Sequence, residues 1–465
     1  MPSAYLPRLV IGGLSGNSGK TLVSLALLLE ARRLGIPARA FKKGPDYIDA
    51  AWLTWASGRP GRNLDSYLTG FPGIAQSFAR NACHEGLNLI EGNRGVYDGV
   101  DPQGTHSTVE LAKTLQAPII LVVDASKTTR TVAACVLGCQ ILDPNANIAG
   151  VILNHANGQR HRRVIGEAIE ADCGIPVLGA IPNLGEGLLP ERHLGLVPPL
   201  EHPSASDDLA SRIADRLSGC LDFTKLFEIS RRAPSLSYDN EPVASAPRVC
   251  TIGYFRDSAF TFYYPENLEA LEAAGANLLP IDSLRAAELP DQIDALYIGG
   301  GFPETHAAAL SRNTTLLRSV RTRAEQGLPV YAECGGLMLL SRAIRIREQS
   351  YAMARVLPFE VEVCQKPQGH GYAVLHVDYE NPFFPVGSEI RGHEFHYSRI
   401  VDTYPMPDAV CTVVRGAGCG AGRDAVVVGN VWAAYTHLHA LGTPQWAAGF
   451  VAAARKFAST RLIAV

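Results

Sequence analysis

The run "RLVIGGLSGNSGKTLVSLALLLEARRLG", residues 8–35, decides the fold of the first half of the chain. Leu9, Val10 and Ile11 read as a buried strand, glycines interrupt it, and an apolar-rich helical pattern opens at Lys20. A glycine-rich loop between a strand and a helix turns successive backbone N–H groups toward phosphate oxygens. Gly16, Ser18 and Gly19 would form that cradle, Lys20 would be its point charge, and Thr21 would offer a hydroxyl to Mg²⁺. Five residues separate Gly13 from Gly19, one more than the standard loop has. A purely structural turn would leave the Gly-Lys-Thr sequence without a purpose.

Downstream, "PARAFKK", "LNLIEG", "PIILVVDA", "IAGVILNH" and "PVLGAIP" are short apolar bursts separated by helix-length segments. Strands buried on both faces and alternating with helices predict a mostly parallel sheet covered on each side. From Asp222 to Pro247 the pattern fails in a polar, proline-rich stretch, and a second α/β series begins at "RVCTIGYF". The expectation is a phosphate-loop synthetase domain over 1–222, a linker over 223–247 and a second α/β domain over 248–465.

A chain of 465 residues with 47% hydrophobic and 19% charged residues is long enough for two such cores. A net charge of −3 gives no general reason to bind nucleic acid or an anionic membrane. The 10 cysteines form no CxxC pair, which argues against a disulfide framework or a zinc site. The amino terminus lacks the basic and apolar regions of a signal peptide, and no apolar run reaches the ~18 residues of a spanning helix. These features fit a cytoplasmic enzyme.

Polar residues cluster behind the strands. "FKKGPDYIDAAWLTWASGRPGRNLD", residues 41–65, supplies Lys42, Lys43, Asp46, Asp49 and three more charges, and "LIEGNRGVYDGV", residues 89–100, supplies Glu91, Arg94 and Asp98. Loops at the carboxyl ends of the strands are where an open α/β sheet binds ligands. Carboxylates there can hold Mg²⁺ between ATP phosphate oxygens, and cations such as Lys42 can neutralise charge during phosphoryl transfer. Singly, each is more simply a solvated loop charge.

In the second half, "ALYIGGGFPE" ends a strand in Gly299, Gly300 and Gly301, and "LPVYAECGGLMLL" places Cys334 on a tight strand-to-helix corner. The helix amino terminus would favour its thiolate. "AAYTHLHA" brings His437 and His439. A cysteine nucleophile, a histidine that passes a proton to leaving ammonia, and a glycine-built oxyanion site are what hydrolysis of L-glutamine requires. The bland alternative is a core cysteine with unrelated histidines. "RGHEFHYS", residues 391–398, has His393, Glu394 and His396 at a spacing unsuited to helical metal ligation, and strand alternation puts 394 and 396 on one face.

Together "FKKGPDYID", "GRPGRNLD", "EGNRGVYDG", "YYPENLEAL" and "RGHEFHYS" resemble the motif series of the cobyrinate a,c-diamide synthase family over essentially the whole chain. The five-residue phosphate-loop spacing is similar to that of dethiobiotin synthetase. The resemblance implies an α/β fold in two parts, a dethiobiotin synthetase-like parallel-sheet domain followed by a class I glutamine amidotransferase-like domain. It implies that Lys20, Thr21, Asp46 and Glu91 serve ATP and Mg²⁺. Asp49 and Asp98 would position or activate a tetrapyrrole carboxylate, and Asn154 would read the adenine. In the amidotransferase part, Cys334 and His437 would act as a pair. His439 stands where other amidotransferases carry a glutamate, so no third member is expected.

Two departures from the family pattern bear on the substrate. Leu53 stands where a histidine is usual, and Asn93 and Arg94 replace apolar residues, pointing to differently arranged carboxylates or another metal state in the macrocycle. A sirohydrochlorin or siroheme a,c-diamide synthase is therefore the close alternative. An ATP-driven switch without catalysis is the alternative from another class, and it leaves Cys334 unexplained. A homodimer is left open.

Overall fold

The computed structural model describes residues 3–185, 188–189, 191–192, 195–199, 206–238, 246–401 and 408–463. The chain divides into two compact units, Met1–Glu241 and Pro242–Val465.

The first unit is built on β1 (Arg8–Gly13), β2 (Ala38–Lys43), β3 (Arg62–Leu64), β4 (Leu87–Glu91), β5 (Ile119–Asp124), β6 (Ile148–Asn154) and β7 (Val177–Ala180). They form one sheet in the order β3-β2-β4-β1-β5-β6-β7, and every pairing is parallel. Alternate residues feed two cores. Leu9 and Ile11 face one with Leu89, Ile120 and Val122, while Val10 faces the other with Phe41, Ile90 and Leu121. Two buried faces explain why these strands read as continuous apolar bursts. The edge strand β3 lacks that signature, so nothing in its residues separates it from the adjoining loop.

Helices α1 (Lys20–Arg33) and α2 (Tyr47–Ser57) follow β1 and β2. The residue before α1 is Gly19, at φ 100°, and no side chain caps the helix, so its first N–H groups remain for a ligand. By contrast α2 is capped by Asp46, whose side chain accepts from the N–H groups of Ile48 and Asp49. The stretch read as a linker starts differently. Phe223–Ser230 is a helix with Leu226 and Ile229 in the core beside α1, and Leu236 pairs with Ala4, so this segment belongs to the first unit. Its apolar positions at helical spacing are too few to stand out against the prolines that follow.

The second unit carries β8 (Cys250–Phe255), β9 (Ala276–Ile281), β10 (Ala295–Ile298), β11 (Val330–Glu333), β12 (Gly369–Val377), β13 (Glu389–His396), β14 (Ala409–Arg415), β15 (Arg423–Val428), β16 (Val431–Ala434) and β17 (His437–Leu438). Their order is β9-β8-β10-β11-β16-β15-β14-β12-β13-β17. The first five run parallel and the rest antiparallel. A separate four-stranded sheet joins Gln349–Ala352, Ala343–Ile346, Glu360–Val363 and Ser398–Val401. Strand β11 and its neighbour β16 are in register from Val330 opposite Val431 to Glu333 opposite Ala434. What leaves the carboxyl ends of these two strands, Cys334 and the segment to His437, is therefore delivered side by side. Among the described residues no helix is long and apolar enough to cross a membrane.

Candidate active sites

In the first unit the strand ends assemble a connected polar network. Thr21 Oγ1 donates to Glu91 Oε1 at 2.9 Å, Lys42 Nζ donates to the same oxygen at 2.8 Å, and Lys42 Nζ also reaches Asp49 Oδ2 at 2.5 Å and the Gly92 carbonyl at 3.2 Å. Lys42 and Glu91 are neighbours across β2 and β4, which fixes their spacing through backbone register. Burial opposes the Lys42 charge, but Asp49, Glu91 and Asp46 outweigh it and hold the ammonium protonated. Asp49 is likewise burdened by burial, and Lys42 nevertheless holds its carboxyl below the usual range. Burial raises Glu91, with Lys42 opposing.

The phosphate loop is closed by its own lysine. Lys20 Nζ donates to the carbonyls of Ser15 at 2.8 Å and Arg94 at 2.9 Å. Burial and the nearby Lys42 lower its pKa, so an anion arriving between these ammonium groups would be strongly favoured. A Cβ on Gly13 would come within 2.2 Å of Ser18 Oγ, and one on Gly19 within 2.5 Å of Asn154 Nδ2. Around Gly16 a Cβ would meet nothing within 4 Å, leaving open space on the loop's outer side. Asn154 buttresses the loop, donating from Nδ2 to the Ser18 carbonyl at 3.0 Å and accepting at Oδ1 from the His155 N–H. The second Nδ2 hydrogen is not used in these contacts. Beyond it a cleft of about 760 Å³ is lined by Asp124, Lys127, Thr128, His155 and Asn183 among others. Sequence reading missed these residues. The only signal was an acidic residue ending the apolar run "PIILVVDA".

The fit to Mg²⁺ can be tested on Glu91, which is fully buried and whose Oε2 has no hydrogen-bond partner among the described residues. A carboxylate oxygen aimed this way beside the Thr21 hydroxyl is a hard donor pair suited to that ion, with phosphate oxygens and water completing the shell. Asp46 spends Oδ1 capping α2. Among the described residues no group of three or more His, Cys, Asp or Glu is arranged around a metal position.

The expected substrate side is reorganised by the structure. Lys42 and Lys43 point to opposite faces of β2: Lys42 to the network above, Lys43 toward Asp65, with burial lowering its pKa. Asp98 Oδ2 accepts from the Gly95 N–H at 2.7 Å, closing its own turn, and Arg94 sits exposed at φ 49°. Leu53 is not at the site. It is 0% exposed, packed in the core with Trp52 and Val23.

In the second unit Cys334 has φ 47° and ψ −95°, a conformation costing a β-carbon residue about 1–3 kcal/mol. The strain is held by tight packing. Its N–H donates to the Ala434 carbonyl at 2.7 Å, and a Cβ on Gly336 would lie 2.3 Å from the Ile298 carbonyl. On Gly300 a Cβ would lie 2.4 Å from His437 Cε1, so the glycine run and the imidazole are in direct contact. Gly335 also approaches the Gly301 nitrogen, from which a Cβ on Gly335 would lie 3.1 Å. Burial opposes the thiolate that the helix amino terminus is expected to favour. Burial, followed by Glu304, pushes the Cys334 thiol well above its ordinary value, and the short helix Gly335–Leu340 does not compensate.

A carboxylate does face the imidazole, contrary to the two-residue expectation. Glu333 Oε2 lies 3.4 Å from His437 Nδ1 and accepts from Tyr297 Oη at 3.2 Å. His439 is instead 3.8 Å from Glu266 Oε2 and tilted against Tyr264. His393 stacks on His437 with centroids 5.0 Å apart, and burial drives it well below the usual histidine range. Glu394 and His396 share a face, 3.5 Å apart, as alternation requires. Glu394 accepts from the N–H groups of Ala417 and Gly418, and His396 stacks on Tyr435. That pair organises a turn and a strand.

Comparison with known proteins was made on this background. The model of the CobB/CobQ-like glutamine amidotransferase domain matches residues 251–445, and that of an AAA domain matches residues 75–187, the part of the first unit bearing Glu91 and Asn154. The cobyrinate a,c-diamide synthase of Magnetococcus marinus is 40% identical over 449 residues, 95% of this chain and 96% of the relative. That of Archaeoglobus fulgidus is 37% identical over 454 residues, 97% of this chain and 98% of the relative.

Proposed function

The chain belongs to the cobyrinate a,c-diamide synthase family, and from that premise we infer a glutamine-hydrolysing carbon–nitrogen ligase that uses ATP to convert the a and c acetate carboxylates of a corrin into amides. The observation that carries this reading is end-to-end similarity to such synthases in a chain that also has both chemical centres. One is the phosphate loop tied through Thr21 to Glu91, Lys42 and Asp49; the other is Cys334 on its strained corner. An ATP-driven switch would have no use for the second.

In the amidotransferase unit Cys334 Sγ attacks the side-chain amide carbon of glutamine. Its proton passes to His437, which delivers it to the departing nitrogen, so ammonia leaves and a γ-glutamyl thioester forms. Water then releases glutamate. Burial raises the Cys334 thiol, so His437 is the group that takes its proton as the sulfur attacks. The N–H groups around Gly301 and Gly335 are the donors for the developing oxyanion.

In the synthetase unit a substrate carboxylate oxygen attacks the γ-phosphorus of ATP, giving ADP and an acyl phosphate. Ammonia attacks the acyl carbon, and inorganic phosphate leaves. A free carboxylate is a poor electrophile, and phosphorylation supplies the leaving group. Lys20 and Lys42 hold positive charge where the γ-phosphoryl is transferred, Asp49 is positioned by Lys42 toward the substrate side, and Asn154 faces the base. Thr21, Glu91 and Asp46 would hold Mg²⁺, which when bound neutralises charge on the phosphate oxygens.

The test offers purified protein, with ATP, Mg²⁺ and glutamine, cobyrinate, sirohydrochlorin and siroheme in parallel, and follows products by mass spectrometry. Diamide from cobyrinate is expected. Diamide from sirohydrochlorin or siroheme alone would move the enzyme to the neighbouring activity, and no product from any of the three would sink the tetrapyrrole reading. Cys334→Ala is expected to lose glutamine-driven amidation and keep ammonia-driven amidation.

A further inference from the structure

We propose that Glu333, the residue immediately before the nucleophile, is the positioning carboxylate of the glutaminase, taking the part for which the segment after His437 has no acid. The proposal rests on the assignment of Cys334 and His437 as nucleophile and proton carrier.

Four observations support it. Glu333 is fully buried at the last position of β11, so backbone register and not a flexible loop sets its side chain. Its two oxygens divide their work: Oε2 lies 3.4 Å from His437 Nδ1, and Oε1 lies 3.3 Å from the Leu438 N–H, so one carboxylate grips both the ring and the backbone beside it. Tyr297 Oη, from β10, donates to Oε2 at 3.2 Å and fixes its direction. Finally, an acceptor at Nδ1 keeps the hydrogen on that nitrogen and leaves Nε2, the atom 3.2 Å from a Cβ built on Gly300, bare toward the glycine run. That is the tautomer that can take a thiol proton.

His439 cannot substitute, since its own ring faces Glu266 and Tyr264. Among the described residues Glu333 from β11 lies against the Nδ1 side of His437 and His393 from β13 stacks on its ring, while Tyr297 from β10 holds the Glu333 oxygen that faces the imidazole. Sequence spacing hides the arrangement, because the acid precedes the cysteine by one residue and the histidine by about a hundred.

The test compares wild type, Glu333→Gln, Glu333→Asp and Cys334→Ala in the full chain. Glu333→Gln keeps the size and an acceptor for Leu438 but can present an N–H to Nδ1, favouring the wrong tautomer. Its kcat for glutamine hydrolysis is expected to fall about 100-fold at a KM within threefold of wild type, with the acid limb of the kcat/KM profile displaced to lower pH. Glu333→Asp should recover part of the loss, ammonia-driven amidation should be unchanged, and thermal midpoints should match. A Glu333→Gln enzyme hydrolysing glutamine within threefold of wild type, or losing activity with an unmoved pH profile and no recovery in Glu333→Asp, would overturn the proposal. If Glu333→Gln does not fold, Glu333→Asp decides alone by its kcat and pH profile. Glutamine-driven activity surviving in Cys334→Ala would instead overturn the glutaminase assignment itself.

Discussion

Lys42 shows how much one side chain can determine. It is buried between Asp49 and Glu91, and replacing it with Met leaves two carboxylates facing each other in a desolvated pocket, a loss of about 3–5 kcal/mol. In wild type the depressed Asp49 carboxyl contributes stability above the ordinary carboxyl range and gives it up on acidification. The sign reverses in Lys42→Met, where the unpaired carboxyls favour protonation. Chemical denaturation should therefore show the variant's deficit shrinking from pH 8 to pH 5, with ATP-dependent amidation lost throughout. A deficit independent of pH would refute the ion-pair account. Cys334 offers a second residue-scale prediction. Its thiol is raised by burial, so alkylation by iodoacetamide without glutamine should be slow at pH 7 and still climbing at about pH 10.5, where an ordinary thiol near 8.5 has levelled off. Peptide mass spectrometry against pH measures this. At this scale the sequence located residues at element boundaries, and their postures had to come from the structure. Asp46, Glu91 and Cys334 stand at element boundaries, as their motifs demand. That Asp46 caps a helix and Asp98 closes its own turn depends on backbone N–H directions, which residue identity does not encode.

Elements were legible where their periodicity was strong. The six longer parallel strands of the first unit were marked by apolar runs because both faces are covered. Strand β3 and the helix at Phe223 were not, one being a three-residue edge and the other a single apolar turn beside prolines. Of the antiparallel half of the second sheet, the alternation in Glu389–His396 was read from the sequence, and the burial pattern of that strand follows it. The glycine run at the end of β10 is the most consequential junction. Gly300→Ala would push a methyl group into His437 Cε1 and the Phe262 ring. Displacing the imidazole by even ~1 Å should lower glutamine hydrolysis about 100-fold while sparing ammonia-driven amidation. Equal activity in an initial-rate assay would show that the ring and the glycine run are not in working contact.

For the whole molecule, the chemistry requires fixed stoichiometry. Each amide formed consumes one ATP and one ammonia, so a diamide made from amide-nitrogen-labelled glutamine should carry two labels and accompany two ADP. A product with fewer labels than amides would mean that ammonia enters from solvent. Family membership was readable from the motifs because they lie at strand ends, where ligand chemistry constrains residue type. The carboxylate facing His437 was not readable, because it arises from two strands lying side by side and from no local spacing. The same burial that keeps the Cys334 sulfur protonated has a further consequence for durability. Peroxide attacks thiolates that it can reach, and Cys334 is 6% exposed with its thiol raised by burial, whereas Cys135 lies on the surface. Under oxidative challenge the nucleophile should outlast the superficial cysteine, with sulfenic acid trapping marking Cys135 first. The packing that positions the nucleophile thus also shelters it between turnovers.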